Sequence, residues 1–312
     1  MVESTGLAYV FPGQGAQAVG MGHDLYDAFA SARAIFKQAD EAAGFGLTKL
    51  CFEGPEEELR QTINAQPAIL TVSLACLKVL EETADGKGLP VPSFVAGHSL
   101  GEYTALAVAG VIDYSTAIYL TRQRGRLMYE AGQQNPGGMV AVLGLDEAIL
   151  QEVCRETNTI IANYNCPGQY VISGAEKNLT KASELAQNRG AARVKPLQVS
   201  GAFHSPLMKP AADGLSEIIN RIEFKSPNLP VIANVTAQPV STAEQIKSEL
   251  VAQLCTGVQW QHSVEYMVNS GVKTFIEIGP GKVLTGLNKR INANINNISI
   301  NDVLSIKDFL KI

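Results

Sequence analysis

Apolar residues follow two rhythms along this chain, and their alternation predicts its class. Short, mostly apolar segments at Leu7–Phe11, 91–96 and Thr274–Ile278 read as buried strands. Between them apolar residues recur at helical spacing. Leu25, Phe29, Ala32, Phe36 and Ala39 form one stripe, with Gly44 placed to cap its end. Leu70, Leu74, Leu77 and Leu80 form another behind Pro67, a residue that a helix tolerates at its opening. A third helix is expected over 115–131. Strands alternating with helices imply an α/β layer on a mainly parallel sheet. Residues 139–199 depart from this. They predict a strand (139–145), a helix (146–157), two strands (160–165 and 170–173) joined at Cys166-Pro167-Gly168, a helix (178–188) and a last strand (192–199). That βαββαβ order is the split pattern of a ferredoxin-like unit. The α/β pattern resumes with strands at 231–235 and Thr274–Ile278. The expected organisation is therefore a large α/β subdomain from 1–135 and 200–312, interrupted by a small subdomain at 136–199. A cleft between the two is where a substrate is expected.

Composition narrows the classes. The 312 residues are 46% hydrophobic, enough for a large core. A net charge of −5 argues against a nucleic-acid partner, which needs a basic face. There is no basic amphipathic stretch for a membrane surface, and apolar runs such as 106–112 are too short to cross a bilayer. The first six residues lack the charged and apolar segments of a secretory leader. Cys51, Cys76, Cys154, Cys166 and Cys255 form no CxxC pair, which argues against zinc and a disulfide framework. A reduced, cytoplasmic protein without a metal is the expectation. The glycosylation-like triplets at Asn178, Asn234 and Asn297 carry no weight in that setting.

Gly97-His98-Ser99-Leu100-Gly101 joins the predicted strand 91–96 to a helix beginning near Glu102. A serine in a strand–turn–helix corner between two glycines is the context of a nucleophile elbow. The helix start behind it supplies free N–H groups where an oxyanion would form. Four histidines could serve as its base: His23, His98, His204 and His262. His98 adjoins the serine, and neighbours in a tight turn point apart. His23 opens a helix as a surface or cap residue, and His262 follows Trp260 in a helical stretch that suits packing. His204 lies in a loop of small residues and a proline, 199–206, at the return to the large subdomain. Spacing favours His204 without excluding the others.

Arg124 shares a helical stripe with Ala117, Leu120, Thr121, Leu127 and Met128, whereas Arg122 and Arg126 are expected on the solvated side. A buried guanidinium needs a partner, either a protein carboxylate or an anionic ligand. Beside a serine nucleophile it suggests an acyl group that carries its own carboxylate. Gly13-Gln14-Gly15 opens a nominal dinucleotide fingerprint, but no second strand with an acidic end follows. A tight loop presenting N–H groups, or the Gln14 amide, to a neighbouring site fits better. Residues 277–282, Glu-Ile-Gly-Pro-Gly-Lys, lack Walker spacing and read as a strand-to-helix turn.

Phe11-Pro12-Gly13-Gln14-Gly15, Gly97-His98-Ser99-Leu100-Gly101-Glu102, Gln123-Arg124-Gly125, Ala202-Phe203-His204-Ser205 and Glu277-Ile278-Gly279-Pro280-Gly281 occur in this order. Together they resemble bacterial malonyl-CoA:acyl carrier protein transacylases over nearly the whole chain. The resemblance implies an α/β-hydrolase-like large domain with an inserted ferredoxin-like subdomain. It implies Ser99 as nucleophile, His204 as base and Gln253 as the residue whose main-chain carbonyl steers that base. Arg124 would hold the malonyl carboxylate, and the Gln14 and Leu100 N–H groups would form the oxyanion hole. Phe203 and Leu100 match malonyl-selective members. Gly257 stands where the family usually has proline, before Val258-Gln259-Trp260. The implied activity is ping-pong transfer of malonyl from malonyl-CoA to the phosphopantetheine thiol of acyl carrier protein, for fatty-acid synthesis, without cofactor and as a monomer. Carrier docking is expected on Arg189, Arg193 and Lys195. The alternatives are a serine esterase or thioesterase, a polyketide acyltransferase with another acyl group, and a non-catalytic interaction domain. A hydrolase triad would place an acid between the serine and the histidine. None stands out in that interval.

Overall fold

Five consecutive buried residues make Leu7–Phe11 a strand with no solvent-facing side (β1). The computed structural model, which describes residues 6–84 and 88–311, places it inside a six-stranded sheet. Five of the six residues on which the expectation about a leader rests, 1–5, lie outside the described residues. The remaining strands are β2 (Phe94–Gly97), β3 (Gly138–Leu143), β4 (Ile160–Cys166), β5 (Gln169–Gly174), β6 (Arg193–Pro196), β7 (Val231–Ile232), β8 (Pro239–Val240), β9 (Thr274–Ile278) and β10 (Asn296–Ile300). The large sheet has the order β10-β9-β1-β2-β7-β8, parallel throughout except for the β7–β8 pair. The second sheet, β4-β5-β3-β6, is antiparallel. The protein is thus α/β, with a mainly parallel sheet and a separate antiparallel one. Helices Glu147–Thr157 and Glu176–Asn188 cover the small sheet, closing an apolar core around Val142, Leu150, Val153, Ile172 and Ala182.

Three local expectations change. The stripe beginning at Leu25 is two helices, His23–Ala28 and Ala30–Ala43, because Phe29 is extended (φ −126°, ψ 132°). Gly44 does cap the second, in the left-handed region (φ 76°). Pro67 does not open its helix, which runs from Thr62 to Thr83 with the proline inside it. A proline there leaves the carbonyl four residues earlier without its usual donor. That carbonyl, Ile63 O, accepts from Arg122 Nη1 at 2.9 Å instead, and Arg122 Nη1 also reaches Asn64 Oδ1 at 2.7 Å. Arg122 is therefore half-buried between two helices, not on a solvated face. Among the described residues, Thr62–Thr83 is also the one helix long and apolar enough to cross a membrane, and 89% of its apolar window is buried inside the protein. Scattered Thr, Ser and Gln interrupt its apolar runs, so counting unbroken runs overlooks it.

All five cysteines are free; four are buried and Cys255 is half-buried. Burial pushes the Cys51 thiol up to about 12 and Cys154 up to about 11, and raises Cys76, Cys166 and Cys255 as well.

Candidate active site

Chain geometry at the end of β2 forces Ser99 into prominence. Its φ is +51°, the left-handed region that ordinary residues avoid. A Cβ on Gly97 would lie 1.9 Å from the Gly101 carbonyl, and one on Gly101 would lie 2.2 Å from Phe11 O, so neither position admits a side chain. Asn234 clamps the turn from both sides: its Nδ2 donates to Gly97 O at 2.7 Å, and its Oδ1 accepts the Ser99 N–H at 2.6 Å. Because Asn234 is turned toward the elbow, β7 ends at Ile232 and does not run to residue 235.

Ser99 Oγ lies 2.8 Å from His204 Nε2 and 3.0 Å from Arg124 Nη2. His204 also has a left-handed backbone, φ +56°, in a loop braced by Ser205, whose hydroxyl donates to Ala202 O at 2.6 Å. Its Nδ1 lies 2.7 Å from the main-chain oxygen of Gln253. A carbonyl can only accept, so Nδ1 carries the proton and Nε2 is left to accept from the serine hydroxyl. Burial first, and then the charge of Arg124, push the His204 imidazole down to about 3, and it is neutral near pH 7. Among the described residues, no carboxylate backs it.

Arg124 is 1% exposed, in the middle of the helix Tyr114–Gln134. None of its hydrogen-bond partners is a carboxylate. Nη1 donates to Gln66 Oε1 and Nη2 to Gln253 Oε1, each at 2.7 Å, while Tyr103 lies under the guanidinium at 5.6 Å. Burial lowers its pKa from the ordinary arginine value. Gln66 bonds Thr62 Oγ1 at 2.9 Å, and Thr62 in turn donates to Gln14 Oε1 at 2.9 Å, so one relay of polar groups joins the Gln14 loop to Arg124. Among the described residues, no backbone acceptor takes the N–H of Gln14 or of Leu100.

These groups share a cavity of about 100 Å³ lined by Gln14, His98, Ser99, Leu100, Arg124 and His204, with Met128, Met139, Asn163, Leu197, Val199 and Phe203. A recess of about 400 Å³ adjoins it, sharing Gln14 and Val199 and bordered by Arg60 and Gln198. A larger hollow of about 660 Å³ around Gln38, Asp113, Tyr114 and Lys225 holds none of the site groups. Every residue singled out for the site therefore lies in or beside one cavity. The other histidines are elsewhere engaged. His98 Nε2 pairs with Asn165 Oδ1 at 2.9 Å, His23 stacks on Phe52, and His262 bonds Gln259. Gly257 packs its backbone against β4, where a Cβ would lie 2.3 Å from Ile161 O, and the next residue, Val258, exchanges backbone hydrogen bonds with that strand.

Sequence reasoning missed Gln66, Asn234 and Glu102. Asn234 had a usable signal, its place at the carboxyl end of a parallel strand, where α/β proteins gather ligand-facing groups. Gln66 had none, lying inside an apolar helix.

Comparison with known proteins adds a family. The chain matches the acyl transferase domain over residues 8–305. It is 46% identical over 306 residues to a malonyl CoA-acyl carrier protein transacylase of Bacillus subtilis, covering 96% of this chain and 95% of that one. A protein of the same name from Escherichia coli is 42% identical over 302 residues, with 96% of each chain covered. Among solved structures, an acyl carrier protein S-malonyltransferase from Vibrio cholerae superposes with a TM-score of 0.94 at 42% identity, covering 98% of this chain and all of that one. A malonyl-transacylase in complex with a type II polyketide acyl-carrier protein gives 0.93 at 43% identity, covering 98% and 99%.

Proposed function

The chain belongs to the acyl transferase domain family, and on that premise we propose that it is a malonyl-CoA:acyl carrier protein transacylase serving fatty-acid synthesis. The observation that carries the chemistry is Ser99 Oγ held between His204 Nε2 and Arg124 Nη2. In the first half-reaction His204 takes the serine proton as Oγ attacks the malonyl thioester. The Gln14 and Leu100 N–H groups receive the oxyanion; the Ser99 N–H, already given to Asn234, is not available for it. The tetrahedral intermediate expels the coenzyme A sulfur, which leaves with the proton from His204, and malonyl-Ser99 remains. The carrier's phosphopantetheine thiol then gives its proton to His204 and attacks the ester, and Ser99 recovers its proton as malonyl leaves.

Arg124 reads the acyl group's carboxylate. Three of its five N–H donors are committed to Gln66, Gln253 and Ser99, which leaves two, including the unpartnered Nε. The cavity suits a short acyl group, since about 100 Å³ has no room for a long chain, and Phe203 and Leu100 form part of its wall. The adjoining recess has room for a pantetheine arm. A carbonyl behind His204, in place of an acid, sets this site apart from the hydrolase triad.

The same reading treats the large sheet as α/β-hydrolase-like and the small sheet, with its βαββαβ order, as a ferredoxin-like insertion at 136–199 between parts at 1–135 and 200–312. Docking of the carrier falls to Arg193 and Lys195, exposed on β6, because Arg189 is engaged with Glu152 and Glu156. A complete site within one chain supports action as a monomer, and five free thiols suit a reducing cytoplasm.

Radiolabelled malonyl-CoA should label the protein on Ser99 and then load holo carrier protein. Ser99→Ala should lower labelling by about 10,000-fold or more. Arg124→Ala should lower malonyl transfer far more than acetyl transfer. Free malonate released with no loaded carrier would overturn the transferase reading.

A further inference from the structure

Glu102 is 1% exposed in the first turn of the helix Gly101–Val108, immediately behind the elbow. Its main-chain N–H donates to Ser99 O at 3.1 Å, but its carboxylate bonds neither Ser99 nor Arg124, and the transfer chemistry above makes no use of that carboxylate. Its two oxygens are both occupied as acceptors: Oε1 takes the Asn234 N–H at 3.3 Å, and Oε2 takes Gln253 Nε2. Gln253 is the busiest side chain of the site. Its Nε2 also donates to Ser99 O at 3.1 Å, its Oε1 accepts from Arg124 at 2.7 Å, and its main-chain oxygen holds His204. An amide can lie either way round, and only one way presents oxygen to a guanidinium.

We propose that Glu102 is a positioning residue for recognition of the acyl carboxylate. By holding Gln253 Nε2 it fixes the amide's orientation, which keeps the Gln253 oxygen on Arg124 and the guanidinium aimed into the cavity. This rests on the reading of Arg124 as the malonyl anchor. The buried arginine has no carboxylate in direct contact, so its tether is neutral and depends on which end of the amide faces it. Glu249 accepts the next amide along, Val235 N–H at 2.7 Å, so two neighbouring acids hold two consecutive N–H groups and fix where Glu102 stands. Burial raises both carboxyls above the usual range, with Glu249 adding to the rise at Glu102.

The test is Glu102→Gln, which keeps the shape but offers one acceptor where two are needed. Either the Asn234 N–H loses its partner or the Gln253 amide turns its nitrogen onto Arg124. The expected result is a fall in kcat/KM for malonyl-CoA of about 10- to 100-fold, the effect of losing a charge-assisted hydrogen bond, carried chiefly by KM. Acetyl-CoA, which has no carboxylate for Arg124, should change by less than about 3-fold on the same reasoning. Gln253→Leu, which removes the amide and keeps the main-chain oxygen for His204, should lower kcat/KM for malonyl-CoA at least as far. The two changes combined should lose no more than Gln253→Leu alone, because they break one relay. Equal losses on malonyl-CoA and acetyl-CoA, or fully additive losses, would overturn the proposal. If Glu102→Gln does not fold, Glu102→Asp, which withdraws the carboxylate from Gln253 Nε2, carries the same comparison. A native protein that takes no malonyl from malonyl-CoA would fail the transacylase reading itself, a different result from either of these.

Discussion

The elbow and the small antiparallel sheet face each other across one cavity, yet they are held in different ways. On the elbow side Ser99 is over-determined. Two glycines admit no side chain, Asn234 bonds it fore and aft, and Gln253 takes its carbonyl. The small-sheet side contributes Met139, Leu197 and Val199, contacts without direction, together with Asn163, whose side-chain oxygen is buried without a partner. Strained backbone persists only where its surroundings allow nothing else. On the proposed mechanism the labour divides: one side would fix the geometry of bond making, and the other would set the size of what is admitted.

The sharpest way to break this contrast is Gly101→Ala. A methyl group 2.2 Å from Phe11 O must push the helix off the strand. A loss of about 3 kcal/mol or more in unfolding free energy, with activity abolished, is expected. A tolerated alanine would mean the elbow is not over-determined.

A middle-sized effect concerns pH. His204 is buried with a folded pKa of about 3, below the ordinary histidine value of 6.5. Below pH 6.5 the unfolded chain binds a proton that the folded chain refuses. The stability tied to this group is therefore present above 6.5 and is lost as pH falls from 6.5 toward 3. Between pH 7 and 5 this amounts to about 2 kcal/mol, read as a shift in urea midpoint that His204→Gln should lack. The acylation rate should show no inflection near 6.5 from this imidazole.

The smallest effect is expected on the opposite wall. Val199→Ala should cost about 1 kcal/mol or less at a half-buried site and leave malonyl transfer within about 3-fold. It should raise the rate with bulkier methylmalonyl-CoA. A large loss with malonyl-CoA would mean that this wall, too, positions the chemistry.

Much of this was legible in the sequence because it depends on local rules. β1 and β9 lie where apolar runs place them, Gly44 caps its helix, and Ser99, His204 and Arg124 were singled out from turn chemistry and a helical stripe. The partners of Arg124 were not legible. A buried charge demands a partner, but the pattern cannot say that two glutamines, 58 residues before it and 129 after it, meet that demand. Arg122 was misplaced for the same reason, because the carbonyl it serves is freed by a proline in another helix. Asn234 looked like a bare glycosylation triplet, and only the sheet order β2-β7 brings it beside the elbow.

The five cysteines bear on what such a protein must avoid. Its proposed donor and acceptor are both thiols, and an acyl group on Ser99 would be open to attack by any thiolate within reach. Thiols held at about 12 and about 11, and others raised by burial, have almost no thiolate at neutral pH. None of the five lines the cavity. On the proposed mechanism, sulfur nucleophiles from outside would thus meet no competing cysteine thiolate in the wall of that cavity.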